Sequence, residues 1–401
     1  MREYWNFFSA GQLTYGRGSL CHLGSLVEGR DLGRVLIVTD PTLVSLGYLD
    51  RVREPLERAG LSTAIFDGGE PEPSVEAALK GVDFAQGKGI GAVVGLGGGS
   101  NMDLAKILAV LLRHGGHPRD YYHFDRVPGP TLPLICIPTT AGTGSEVSHA
   151  AVLTDPDEGL KMSTLSRFLR PSLAVVDPAL TDACPRQVTA DSGIDALTHA
   201  IEAYCAIDAA RVSVPNEQAI PYAGSNPVGD LFAERAIRLV GRHLEKAVRE
   251  PDNTEARDGM ALAASMAGLA FSNCAVAVVH ALEYPIGVAL HCSHGAGNGL
   301  LLPYVMEFNL EACITKYARI YDWLDGQEQG LNQAEAARAA IDRVIALRAS
   351  IGIPHRIREL GGTEDQLPEF ARKAFAIKRL MDLNPRVPTE EGLLGILRQA
   401  W

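Results

Sequence analysis

The stretch GIDALTHAIEAY, residues 193–204, places a carboxylate and an imidazole four positions apart, Asp195 and His199. It reads as a largely apolar helix, and positions i and i+4 of a helix share one face, a turn apart. Such a pair can grip one divalent cation. Alone, a D-x-x-x-H spacing more often marks a surface pair or a satisfied buried polar pair. A second segment, VVHALEYPIGVALHCSHGAGNG (278–299), adds three of the chain's eleven histidines: His280, His291 and His294. His280 is expected to end a long apolar helix, where an unpaired imidazole is costly. His294 stands in a Ser/Gly segment suited to opening the next helix. One aspartate with two or three histidines makes a ligand set with room for substrate, fitting Fe2+ or Zn2+. Spacing alone leaves His291 and His294 open, and Cys292 as a zinc thiolate is a further alternative.

Two glycine-rich turns carry a different chemistry. GLGGGSNMDLAK (95–106) follows a strand and opens a helix. Its glycines let backbone N–H groups approach a phosphate, and the helix dipole adds to the attraction. Gly95 and Gly97 fit a dinucleotide fingerprint, but Ser100 stands where its third glycine would be. PTTAGTGSEV (138–147) repeats the layout, with the hydroxyls of Thr139, Thr140, Thr143 and Ser145. Two such loops favour a dinucleotide over either loop's reading as a plain turn. Asp40, expected to end the first strand, can accept hydrogen bonds from an adenosine ribose and would repel a 2′-phosphate, favouring NAD over NADP. It can equally be a turn aspartate before Pro41. The chain has no G-K-[ST] lysine motif, which argues against a kinase or ATPase.

The elements that must hold these residues fall into two textures. Short apolar runs at 34–40, 62–69, 90–100, 132–146 and 172–178 alternate with helix-like segments, the pattern of a parallel sheet covered on both faces. From about residue 187, Ala/Leu-rich stretches at 189–206, 227–249, 254–283, 303–324 and 333–350 read as helices. Thr189 or Asp191 is expected to cap the first of them. Residues 208–226 read as an irregular excursion. The expected organisation is an α/β dinucleotide-binding domain at 1–186 and an all-α metal-binding domain at 187–401. Two domains also suit 401 residues, since single cores stop growing at roughly 250–300.

A net charge of -11 argues against nucleic acid as partner. No apolar run reaches the roughly 20 residues that span a bilayer. The start, MREYWNFFSAGQLTYG, has no signal-peptide layout. Seven scattered cysteines without a C-x-x-C pair suggest reduced thiols and a cytoplasmic location.

Four segments together, GGGSNMDLAK (97–106), PTTAGTGSEV (138–147), GIDALTHAIEAY (193–204) and HALEYPIG…HCSHG (280–295), resemble the iron-containing (group III) alcohol dehydrogenases. The resemblance spans nearly the whole chain and includes a two-domain plan similar to dehydroquinate synthase. It implies NAD(P) on the first domain, metal on the second and an active site in the cleft between them. It places the metal ligands on Asp195, His199, His280 and His294, and so prefers His294 to His291. It places dinucleotide contacts on Asp40, Gly97, Gly98, Ser100, Asp103, Thr139, Thr140, Thr143 and Ser145, with Lys161 near the nicotinamide end. Many members of that family carry a proton-relaying histidine four residues after the third ligand; here the position is Tyr284. A tyrosine with an ordinary pKa of about 10 is a poor proton carrier at neutral pH.

The expected activity is a metal-dependent, NAD(H)-linked alcohol dehydrogenase or aldehyde reductase acting on a small molecule, in a homodimer or larger homo-oligomer. A hydroxyacid–oxoacid transhydrogenase and a dehydroquinate synthase-type lyase are the competing activities on such a framework.

Overall fold

The computed structural model describes residues 3–157, 159–213, 219–324 and 330–401. Residues 214–218 of the expected 208–226 excursion lie outside the described residues. Backbone contacts divide the chain into one unit of residues 8–183 and another of residues 184–401 joined by residues 1–7. Phe7 stacks on Phe232 with ring centroids 5.3 Å apart, so the N-terminal segment goes with the helical unit.

The first unit is built on strands β1 (Leu13–Tyr15), β2 (Arg34–Val38), β3 (Thr63–Phe66), β4 (Ile90–Gly97), β5 (His123–Phe124), β6 (Leu134–Pro138), β7 (Ala150–Asp155), β8 (Leu160–Leu165) and β9 (Leu173–Val176). Its helices are α1 (Leu23–Val27), α2 (Pro41–Ser45), α3 (Tyr48–Arg58), α4 (Val75–Ala85) and α5 (Gly99–His114). Six strands form a parallel sheet in the order β1-β9-β6-β4-β2-β3. Alternate side chains feed two cores. Val35, Ile37, Ala92, Val94, Ile135 and Ile137 pack with Leu23, Val52 and Leu56 of α1 and α3. Leu36, Val38, Val93, Leu134 and Cys136 pack with Ala78, Leu104 and Leu108 of α4 and α5. Burial on both faces explains why these strands read as continuous apolar runs. Each fully buried Val, Leu or Ile contributes about 1.5–3 kcal/mol.

Two features of this unit depart from expectation. Asp40 follows the second strand, because the short edge strand β1 precedes it. Residues 150–165, in which no strand was expected, form the antiparallel hairpin β7–β8 with β5 beside it. The hairpin is held down by Asp155, which accepts two 2.7 Å bonds from the Arg119 guanidinium and one of 2.9 Å from Tyr122.

The second unit contains α6 (Arg186–Cys205), α7 (Pro227–Arg249), α8 (Thr254–Phe271), α9 (Val278–Leu290), α10 (His294–Trp323), α11 (Gln333–Ser350), α12 (Leu367–Ala376), α13 (Lys378–Met381) and α14 (Glu390–Ala400). Helix α6 is buried almost all round from Thr189 to Cys205, as befits the central helix of the bundle. It begins at Arg186, so Thr189 and Asp191 lie inside it and do not cap it. Thr189 instead bonds the Pro185 carbonyl, and Asp191 accepts from Gln187. Among the described residues, no helix is long and apolar enough to cross a membrane.

The single helix expected over 254–283 is two helices. Between them, the carbonyls of Asn273 and Cys274 accept from the backbone N–H groups of Ala223 and Gly224. Partners from another part of the chain replace the helical ladder there, and His280 therefore opens α9 instead of ending a long helix. Helix α10 starts at His294, nine residues before the apolar texture suggested.

Candidate metal centre

Asp195 and His199 project from α6, His280 from the first turn of α9, and His294 is the first residue of α10. One ligand atom each of Asp195, His280 and His294 can be chosen so that all lie within 4.8 Å of one another. Asp195 Oδ1 is 3.9 Å from His280 Nε2 and 4.0 Å from His294 Nε2. Among the described residues, this is the cluster with metal-binding composition and spacing. His199 stands beside it, outside that tightest trio. Its ring stacks on Phe271 at 4.2 Å and on His280 at 4.7 Å, and its Nδ1 is 3.8 Å from Asp195 Oδ2.

The far side of each close imidazole is held by a carboxylate. His280 Nδ1 bonds Glu202 Oε2 at 2.6 Å, and His294 Nδ1 bonds Glu283 Oε2. A carboxylate accepts, so each Nδ1 carries the hydrogen and each Nε2 lone pair is left to face Asp195. This is the arrangement that orients metal-binding histidines and raises their basicity. Glu202 does more: Oε2 also accepts from the Ala277 N–H at 2.9 Å and Oε1 from the Val279 N–H at 2.7 Å, so it caps the start of α9. Burial pushes the Asp195 carboxyl up, but positive charge on the His199, His294 and His280 imidazoles when they are protonated, with the Asn298 amide, outweighs it and leaves it below its ordinary value. Asp195 is thus an anion 2% exposed facing imidazole lone pairs, a donor set that fits a divalent cation.

The bundle reaches this geometry by close approach of α10 to α6, onto backbone at Asp191 and onto a side chain at Ile194. A Cβ on Gly295 would lie 2.0 Å from the Asp191 carbonyl oxygen, and one on Gly299 2.7 Å from Ile194. The glycines at the start of α10 let it lie directly against α6. Tyr284 is one turn beyond His280 and buried, with its ring centroid 6.2 Å from that of His294. His291 caps the end of α9 with a left-handed backbone and Cys292 follows it; neither belongs to the close trio.

In the first unit, the two glycine-rich loops lie side by side. The Thr139 N–H donates to the Gly97 carbonyl at 3.0 Å. A Cβ on Gly99 would meet the Thr143 side chain at 2.8 Å. Gly97 has φ +146, a conformation reserved for glycine. Helix α5 opens at Gly98 with no side-chain cap, and Ser100 lies in its first turn, so the leading N–H groups fit a phosphate. Thr140 flanks Gly98, 3.5 Å from where a Cβ would stand.

Asp103 and Ser145 tie these loops together from beneath. The Ser145 hydroxyl donates to Asp103 at 2.6 Å and accepts from Lys106 at 2.7 Å, and Asp103 also accepts from the Val152 N–H. Burial pushes the Asp103 carboxyl up, although Lys106, Ser145 and Val152 all favour its charge. Asp40 caps α2 through the Thr42 and Leu43 N–H groups and accepts from Asn101 at 2.7 Å, which links it to the glycine turn. Lys161 lies on β8 with its Nζ 3.2 Å from Glu72.

Sequence reasoning missed Glu202, Glu283, Asn298 and Lys106. The signal was present in each motif: Glu202 follows His199 by three residues, Glu283 follows His280 by three, and Asn298 follows His294 by four.

Comparison with known proteins agrees with this geometry. Residues 10–178 match the profile of the iron-containing alcohol dehydrogenases, and residues 216–401 that of the Fe-containing alcohol dehydrogenase family, C-terminal. The chain is 38% identical over 389 residues to long-chain-alcohol dehydrogenase 1 of Geobacillus thermodenitrificans (strain NG80-2), covering 96% of this chain and 94% of that one. It is 35% identical over 395 residues to the NAD-dependent methanol dehydrogenase of Bacillus methanolicus, covering 98% and 99%. A crystal structure of 1,3-propanediol oxidoreductase superposes with a TM-score of 0.92 at 33% identity, covering 100% of both chains. The protein accordingly belongs to the iron-containing alcohol dehydrogenase family, the metal-dependent, NAD(H)-linked oxidoreductases acting on alcohols and aldehydes.

Proposed function

We propose that this chain interconverts a small alcohol and its aldehyde, with Asp195, His280 and His294 holding the metal and His199 completing the set. The observation that carries this reading is the convergence of the three donor atoms, with two imidazoles locked by Glu202 and Glu283. When bound, a divalent iron or zinc supplies Lewis acidity at the substrate oxygen, and NAD(H) supplies the hydride chemistry. The protein's part is to hold the donors in register, bury them and position the cofactor.

Burial strengthens every charge interaction around Asp195. Tyr284, whose ring centroid is 6.2 Å from that of His294, supplies a hydroxyl for positioning substrate. Gly97, Gly98, Ser100, Thr139, Thr140 and Thr143 contact the dinucleotide, while Asp103 and Ser145 hold their loops in place. Lys161 reaches toward its nicotinamide end. Asp40 favours NAD over NADP, since an anion beside a ribose excludes a 2′-phosphate. The seven cysteines are scattered and include no C-x-x-C pair, which suits reduced thiols in a cytoplasmic enzyme.

The test is an NADH absorbance assay with Fe2+ and Zn2+ supplied separately, against aldehydes, keto acids and their sulfonate or phosphonate analogues. Metal-dependent turnover of an aldehyde is the expected result. Turnover that survives chelation, or no NADH change with any carbonyl, refutes the proposal.

A further inference from the structure

Asn298 lies one turn beyond His294 on α10, and its side chain is fully buried. Its Nδ2 is 2.8 Å from Asp195 Oδ1, 3.2 Å from His280 Nε2 and 3.1 Å from His294 Nε2. These are the three atoms that form the candidate metal site. Because Glu202 and Glu283 take the Nδ1 hydrogens, both Nε2 atoms are acceptors, and so is the carboxylate oxygen. An amide NH2 has two hydrogens, so one nitrogen serves three acceptors. The Asn298 Oδ1, meanwhile, is buried and has no hydrogen-bond partner among the described residues. A carbonyl left unpaired in the interior is an unfavourable arrangement. It is accepted here to keep the amide hydrogens aimed at the ligand lone pairs.

We propose that Asn298 is the protein's own competitor for the metal: its amide hydrogens engage the lone pairs that a cation must use. The proposal rests on the ligand assignment of Asp195, His280 and His294. The amide hydrogens hold three mutually repulsive acceptors together, spaced and oriented, without a cation. A cation entering the set must turn the amide away, and the hydrogen bonds lost are subtracted from its affinity. The same residue therefore preorganises the site and weakens metal retention.

The test compares wild type with Asn298→Ala and Asn298→Asp after chelator treatment. Zn2+ affinity is measured against a competing chelator, and thermal unfolding is followed with and without the metal. If the amide competes, Asn298→Ala binds Zn2+ at least about fivefold tighter, the equivalent of one lost hydrogen bond. Its metal-free form unfolds at a lower temperature than metal-free wild type, and adding Zn2+ narrows the difference. Asn298→Asp keeps the shape without the N–H, so it too binds tighter and is less stable without metal, with two carboxylates facing each other. Equal or weaker Zn2+ affinity in Asn298→Ala overturns the proposal; if that variant does not fold, the same result in Asn298→Asp does so. A His280→Ala control separates the two levels: Zn2+ retained there at wild-type affinity sinks the ligand assignment itself.

Discussion

Glu202 and His280 are 78 residues apart in sequence, yet Glu202 Oε2 accepts the His280 Nδ1 hydrogen at 2.6 Å while the same carboxylate caps the backbone of α9. One side chain thus sets both where the helix begins and which nitrogen of its histidine faces the metal. Glu202→Gln preserves shape but weakens the charge-assisted bond. Metal affinity is expected to fall about 10–100-fold, with far-ultraviolet circular dichroism unchanged. Unaltered affinity in a competitive zinc titration would show that the pair does not tune the ligand.

His280→Ala removes one member of the close trio. Metal content, read by elemental analysis of the purified protein, and turnover are expected to disappear together. Retained turnover without metal would remove the proposed chemistry.

Asp40 has a structural duty as well as a proposed cofactor one. It caps α2 and bonds Asn101, so Asp40→Gly is expected to lose up to a few tenths to about 1 kcal/mol of stability with the cap. Asp40→Asn retains an acceptor for the cap while removing the charge. Both variants should use NADP better relative to NAD, read as the ratio of kcat/KM values. An unchanged ratio in both would mean that Asp40 does not read the ribose.

Asp155 supplies an acid-sensitive element in the first unit. The Arg119 bonds, opposed by burial and helped by Tyr122, pull its carboxyl from 3.8 down to about 2. A folded-state pKa below the unfolded one gives stability that is present above the unfolded value and lost as pH falls through 3.8 toward 2. The shift corresponds to about 2 kcal/mol at pH 7, of which roughly half remains at pH 3. The stability difference between wild type and Asp155→Asn, from urea unfolding, should therefore shrink by about 1 kcal/mol between those pH values. A difference independent of pH would remove the ion-pair explanation.

Much of this was legible in the sequence, and for definable reasons. The strands at 34–38, 90–97 and 134–138 are buried on both faces, so their runs of Val, Ile and Leu are unbroken. Asp195, His199, His280 and His294 stood out because polar groups are costly in such apolar helices. What escaped was decided by distant partners. The break between α8 and α9 depends on residues 223 and 224 taking over the carbonyls of 273 and 274. The roles of Glu202 and Asn298 depend on α9 and α10 folding back on α6, which spacing along one helix does not reveal. In the hairpin, β7 alternates buried and half-exposed residues while β8 is interrupted by Lys161, Ser163 and Thr164, so neither strand shows the unbroken apolar run that marked the others.

The glycines of α10 have a wider implication. Since Gly295 lies against the main chain of Asp191, the approach of His294 to the turn that carries Asp195 is fixed by polypeptide against polypeptide. Neighbouring side chains can be exchanged over evolutionary time without stretching the ion's seat. New specificities can then be tried around an inorganic anchor that does not drift.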